Sequence, residues 1–184
     1  MHCAKLTKRQ SGFTLVELLI VAIILAILAA IIIPQFASTT TDAQESALRA
    51  NLSGLRSATD LYRQQHGEYP GVSTAVGGTC SGTAGTGVAG SQQAIEDQLT
   101  RYSNAAGQTC SVPDAGFQYG PYIQEDVLPA NPITGSDVFA IVATGDLEMA
   151  ADGAGLGWKY DTVAGKIIAN DTNLDSAGVA YSTY

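Results

Sequence analysis

A few groups of side chains in this sequence have types and spacings that could support chemistry. The most unusual is Glu17, a carboxylate near the start of a segment, residues 13–33, that is otherwise almost wholly apolar. Cys80 and Cys110 form an even pair once Cys3 is set aside with the basic N-terminus. Asp146, Glu148 and Asp152 offer hard oxygen ligands of the kind calcium uses, within a few residues of one another. The plainer reading of these three is a set of solvated turn acids. His66 stands alone beyond His2, so zinc ligation or a histidine-based triad has no partners to draw on. No nucleophile and base pair, metal cluster or oxyanion motif points to a hydrolase.

Glu17 is the informative member of this set. A carboxylate in a membrane segment costs on the order of 2.5–3.5 kcal/mol at the helix centre and less near an interface, so it usually marks a partner. The apolar segment brings no basic side chain within reach on the same helix. A cut between Gly12 and Phe13 would create a free amine four residues before Glu17, on one side of the helix, able to pair with the carboxylate of its own or a neighbouring chain.

The element that must carry this charge is long. Leu18 to Ile33 is uninterrupted apolar sequence, and a helix over residues 13–33 would be about 31 Å long, close to the hydrocarbon thickness of a bilayer. Lys5, Lys8 and Arg9 precede it and should hold the N-terminus in the cytoplasm, placing everything after Pro34 outside. A signal anchor is the simplest alternative. A cleaved secretory signal would end, not begin, at a small-residue junction such as Ser11-Gly12. Pro34 lacks an amide donor and predicts a helix break or kink, the alternative being a simple helix end at the membrane surface.

The stretch "SGFTLVELLIVAIILAILAAIIIPQF" resembles the leader junction and N-terminal helix of type IV pilins and type II secretion pseudopilins. The resemblance implies removal of the leader, residues 1–12, by a prepilin peptidase acting after Gly12, and N-methylation of Phe13. It implies that Glu17 recruits subunits by meeting the Phe13 amine of an adjacent copy. The expected fold is α+β and pilin-like: a membrane or filament-core helix over 13–33, an amphipathic stalk helix over 34–66, and a globular head over 67–184. Expected partners are identical subunits, an inner-membrane assembly platform, minor pilins or pseudopilins, and lipid before assembly. The expected location is the bacterial inner membrane, then a periplasmic or cell-surface filament.

Within the stalk, Leu48, Leu52, Leu55, Ala58, Leu61 and Tyr62 recur at helical spacing while Arg49, Arg56, Asp60 and Arg63 take other faces. Gly67 and Tyr69-Pro70 should stop the helix, leaving His66 as a solvated residue at its end. Residues 71–91, rich in Gly, Ser and Thr, read as a loop without a phosphate-binding lysine. Ile95, Leu99 and Tyr102 predict a short helix over 92–105 capped by Ser91. An oxidising destination makes a Cys80–Cys110 bridge the natural inference, two unpaired thiols being the alternative. Short β-branched and aromatic runs predict an antiparallel sheet over 137–170. "YGPYI", "LPANPITG" and "GWKYDTVAGKIIAN" resemble the head of the G-type, or major, pseudopilin. That family often has a calcium loop near this sheet, but its ligands do not transfer cleanly to "TGDLEMAADGAGLGW", and no cofactor is expected apart from that calcium. The tail 171–184 has no assignment.

Charge excludes a further class. The chain carries 9 basic and 17 acidic residues, a net −8. Without Lys5, Lys8 and Arg9 six basic residues face the same seventeen acidic ones, a net −11, so no basic face remains to neutralise a nucleic acid backbone.

Overall fold

A computed structural model describes residues 13–184, with backbone only for residues 33–38. The chain divides into two compact units, residues 1–41 and 42–184. Gly12 and the basic residues before it lie outside the described residues.

The first unit contains the N-terminal part of α1 (Leu15–His66), a helix of 52 residues. Its large apolar side chains from Phe13 to Ile32 are 45–80% exposed, on every face. Leu15–Ile32 is long and apolar enough to cross a membrane. Leu, Ile and Ala stabilise a helix only weakly on their own in water, but in lipid or among like helices every backbone group is satisfied internally. Helical assignment continues through position 34, so the break predicted at Pro34 is not seen. A proline inside a helix loses one hydrogen bond, a cost a long helix can absorb.

The second unit begins with the amphipathic part of α1. Leu48, Leu52, Leu55, Ala58 and Tyr62 are spaced by three or four residues, fall on one face, and are at most 5% exposed. Leu61, off that stripe, is exposed. The helix ends at Gly67, whose positive φ of 79° suits a residue without a Cβ and lets its amide donate to the Arg63 carbonyl at 2.8 Å.

The stripe packs on α2 (Gln92–Thr100) and on a three-stranded sheet through Ile95, Leu99, Phe139, Trp158, Tyr160 and Ile167. Ser91 caps α2 by accepting from the Ala94 amide at 3.1 Å. The helix is shorter than its periodicity suggested. Asn104 Oδ1 accepts from the Ala106 and Gln108 amides, each at 3.0 Å, and builds a turn that pairs β1 (Tyr102–Ser103) with β2 (Thr109–Cys110). Side-chain bonding by Asn thus competes with continued helix, and Tyr102 becomes a strand residue.

The sheet comprises β3 (Phe139–Val142), β4 (Trp158–Asp161) and β5 (Ile167–Ala169). β4 and β5 form an antiparallel hairpin, as predicted, but β3 pairs with β4 in parallel, Phe139 opposite Trp158. The sheet is therefore mixed. The excursion 143–157 is long enough to return the chain to the same end, the condition a parallel pair imposes. Trp158 and Tyr160 are fully buried and keep their polar tips satisfied, Nε1 donating to the Pro129 carbonyl at 2.8 Å and the hydroxyl to the Pro70 carbonyl at 3.0 Å. Gly157 is required by close approach: a Cβ there would meet the Ser136 carbonyl oxygen at 1.9 Å.

Candidate functional site

Glu17 sits in the first turn of α1, where the structure gives it a specific local partner. Its Oε2 accepts from the Thr14 amide at 3.0 Å and from the Thr14 hydroxyl at 3.1 Å. The Thr14 hydroxyl in turn accepts from the Glu17 amide at 3.2 Å. This is a reciprocal cap, a threonine and a glutamate three residues apart each bonding the other's backbone, and it satisfies two donors that a helix start leaves orphaned. The positive end of the helix dipole favours the charge there as well.

The T-x-x-E spacing is a sequence-level signal of such a cap, and it gives Glu17 a local role beside any external partner. A carboxylate has acceptor capacity for more than two hydrogen bonds, so capping orients the group without exhausting it. Phe13 precedes the cap and is 78% exposed, which leaves the first turn open on its outer side.

The other predicted site residues fall in the second unit. Cys80 and Cys110 are disulfide-bonded, with Cα atoms 5.8 Å apart, and the bridge ties the Gly-rich loop to β2. The three acids proposed for calcium are not brought together. Asp152 bonds the Asn170 amide group at 2.8 Å and meets the Lys159 ammonium at 3.4 Å. Asp146 Oδ1 accepts from the Glu148 amide at 2.8 Å. Among the described residues no three His, Cys, Asp or Glu side chains are grouped as a metal site. Lys159 and Lys166 instead hold this loop by donating to the carbonyls of Ala150 and Leu147.

His66 is not a solvated end residue. It is stacked on Tyr62 with ring centroids 4.0 Å apart, its Nδ1 lies 3.1 Å from the Tyr62 carbonyl and its Nε2 3.1 Å from the Ser103 hydroxyl. Burial pulls its pKa below the ordinary histidine value despite the opposing effect of backbone hydrogen bonding. It joins the helix end to β1 as packing.

Two structural roles were invisible in the sequence. Asp161, buried at the end of β4, receives bonds at Oδ2 from the Thr144 hydroxyl and from the Thr144, Gly145 and Asp146 amides. Its Oδ1 accepts from the Val163 and Ala164 amides. Burial acts to raise its pKa, but these bonds outweigh it and hold the group well below the usual carboxylate range. The unassigned tail docks on α1: buried Glu45 accepts from the Ser176 amide at 3.0 Å, and Arg56 donates to the Ile167 and Tyr184 backbone oxygens at 2.8 and 2.6 Å. The Arg49 guanidinium lies over the Tyr184 ring, 4.1 Å from its centroid. Only long-range contacts create these roles.

Residues 7–33 match the model of the prokaryotic N-terminal methylation motif. The N-terminal third of the chain is similar to type II secretion pseudopilins and type IV pilins. The chain is 36% identical over 63 residues to the type II secretion system core protein G of Pseudomonas aeruginosa, which is 34% of this chain and 44% of that relative. It is 44% identical over 68 residues to a fimbrial protein of Neisseria meningitidis serogroup B, 37% of this chain and 40% of the relative. It is 35% identical over 63 residues to core protein G of Aeromonas hydrophila, 34% of this chain and 44% of the relative. The matches thus span less than half the length of these relatives. No solved structure matches the chain.

Proposed function

We propose that this chain is a pilin-like structural subunit, not an enzyme, that polymerises into a helical filament outside the cytoplasm, and that the filament is a type II secretion pseudopilus. The observation that carries the reading is an apolar helix exposed on every face with a capped carboxylate in its first turn. Packing such helices against copies of themselves removes apolar surface from solvent or lipid and leaves the backbone bonding unchanged, which supplies affinity without refolding. Apolar packing alone does not set register. A charge pair in a dry environment does, since a sliding copy would strand a buried charge. In the proposal the Phe13 amine of one copy meets Glu17 of the next, and the Thr14 cap holds the carboxylate ready.

The proposal includes cleavage after Gly12 by a prepilin peptidase, methylation of Phe13, and insertion by an inner-membrane platform with minor pseudopilins. Before assembly the subunit would span the inner membrane once, N-terminus inside. No cofactor is part of it. Similarity to the core protein G relatives and the head motifs over 117–170 support the pseudopilus. The higher identity to a fimbrial protein supports a second reading, a type IV pilus.

Mass spectrometry of the chain from its native membrane tests the processing: an N-methylated Phe13 terminus is expected, and mature chains beginning at Met1 would defeat the filament reading. Complementation separates the two filaments. Restored protein secretion in a host lacking its own core protein G supports the pseudopilus, and restored surface fibres in a host lacking its fimbrial subunit supports the pilus.

A further inference from the structure

Charge is divided unevenly between the two units. Residues 42–184 hold six basic residues against sixteen acidic ones, a net −10, while Glu17 is the one charged side chain of residues 13–41. What a second copy meets depends on which of these charges remain available.

The cations of the head are engaged within their own chain. Arg101 lies 3.1 Å from Asp97, and Lys159 lies 3.4 Å from Asp152. Arg49 lies 3.6 Å from Asp175 and 3.9 Å from Glu45, two carboxylates that are almost wholly buried. Arg56 donates to the backbone oxygens of Ile167 and Tyr184, and Lys166 to the Leu147 carbonyl. Arg63 sits over the Tyr69 ring, 4.4 Å from its centroid, and donates to its hydroxyl. A cation recruited to a neighbour's acid would have to leave or share one of these partners.

The acids are in the opposite condition. Asp60, Glu125, Asp126, Asp137, Asp146 and Glu148 are exposed and enter no ion pair among the described residues. They come from α1 and from loops on both sides of β3, so the charge is spread along the chain of the head and not confined to one loop. Copies drawn together by their apolar helices bring such heads side by side. A domain of this length has a radius of gyration of about 14 Å, so touching heads stand within about 30 Å of one another. That distance is about one Debye length at 0.01 M salt and several at 0.15 M, where the length is about 8 Å. Like charge therefore opposes contact in dilute buffer and is screened in salt.

We propose that assembly of this chain is gated by the concentration of mobile inorganic cations. Filaments form where such ions collect between the acidic heads, with no dedicated metal site, and come apart as the ions are diluted. The inference rests on the filament reading and adds its control. Its sign is opposite to that of an assembly held by salt bridges between subunits, which added salt weakens.

The test is sedimentation of filaments of the full chain, sheared from cells and suspended in sodium chloride from about 10 to 150 mM, with electron microscopy of each pellet. The sedimenting fraction should rise at least about tenfold across that range. Magnesium and calcium chloride should replace sodium chloride at lower concentration, each as well as the other. Glu125→Gln, Asp126→Asn and Asp137→Asn combined leave a net −7 on the head, which about halves the product of like charges and should lower the salt required by about twofold. Near-UV circular dichroism of the detergent-solubilised chain should be the same at both salt extremes. Filaments that persist in the most dilute buffer, or that dissolve as salt rises, overturn the proposal. So does calcium acting where magnesium does not, which would mean a dedicated site, and so does an unshifted salt requirement in the triple variant. A head that loses its near-UV signal in dilute buffer overturns it too, because salt would then act on the fold. Each of these outcomes leaves the filament reading standing, whereas chains that keep Met1 and form no filaments at any salt concentration overturn both.

Discussion

The two parts of α1 share one secondary structure and differ in what completes them. From Leu15 to Ile32 every face is exposed among the described residues. From Leu48 to Tyr62 only one face is apolar, and that face is buried against the head. An all-round apolar helix requires other molecules, lipid or like helices, whereas an amphipathic one is completed by its own chain. The polar groups follow the same division. Glu17 is answered by a hydroxyl and an amide one turn away, while Glu45 and Arg56 are answered by residues more than a hundred positions distant.

The largest effect should come from breaking the part that needs other copies. Under the proposed function, Glu17→Leu should reduce filament yield by at least about tenfold, counted by electron microscopy, because the charge proposed to set register is gone while apolar affinity remains. The head's thermal midpoint should not move. A fall in both would show that the two parts are not energetically separate.

The head should respond to changes that leave the N-terminal helix untouched. Trp158→Ala removes a fully buried ring and should cost about 3–5 kcal/mol in chemical denaturation of the full chain in detergent, with α1 membrane insertion unchanged. Cys80→Ser opens a loop with a sequence separation of 30 and should cost about 3–4 kcal/mol. Adding reductant to the native protein should reproduce that loss, and the serine variant should be insensitive to it.

A smaller effect sharpens the comparison at the helix start. Thr14→Val keeps the shape but removes the cap, worth about 0.5–2 kcal/mol, and leaves Glu17 unoriented. Filament yield should fall between wild type and Glu17→Leu, with Thr14→Ser restoring it. A wild-type yield for Thr14→Val would show that the cap is local structure only.

The last effect is read from the acid limb of the head's stability profile. Asp161 has a folded pKa depressed below the ordinary carboxylate value of about 3.9, so its stabilisation is fully present above that value and is lost as pH falls toward the depressed one. Head stability should therefore drop below about pH 4, and Asp161→Asn should flatten that part of the profile while lowering stability at neutral pH.

Legibility in the sequence followed the range of the interactions. The apolar span, the Leu48–Tyr62 stripe, the Ser91 cap and the stop at Gly67 all depend on neighbours within a turn or two, and the sequence reading and the structure agree on them. The Thr14–Glu17 cap is equally local, a threonine and a glutamate three residues apart at a helix start. The direction of β3 and the bond of His66 to Ser103 depended on contacts from elsewhere in the fold, whereas the end of α2 turned on the Asn104 side chain a few residues on, and each differed from expectation.

By itself the sequence determined that this chain has a helix unable to bury itself, carrying a carboxylate beside a cleavable-looking junction, since hydrophobic periodicity and charge are properties of consecutive residues. Only tertiary structure decided what the acids and arginines of the head do. Asp161 staples two turns, Arg56 and Arg49 hold the tail, and Asp152 is neutralised by Lys159, leaving the three suspected calcium ligands apart. A side chain's electrostatic role is set by the charges and dipoles that folding brings within a few ångströms, and those neighbours are not written beside it in the chain.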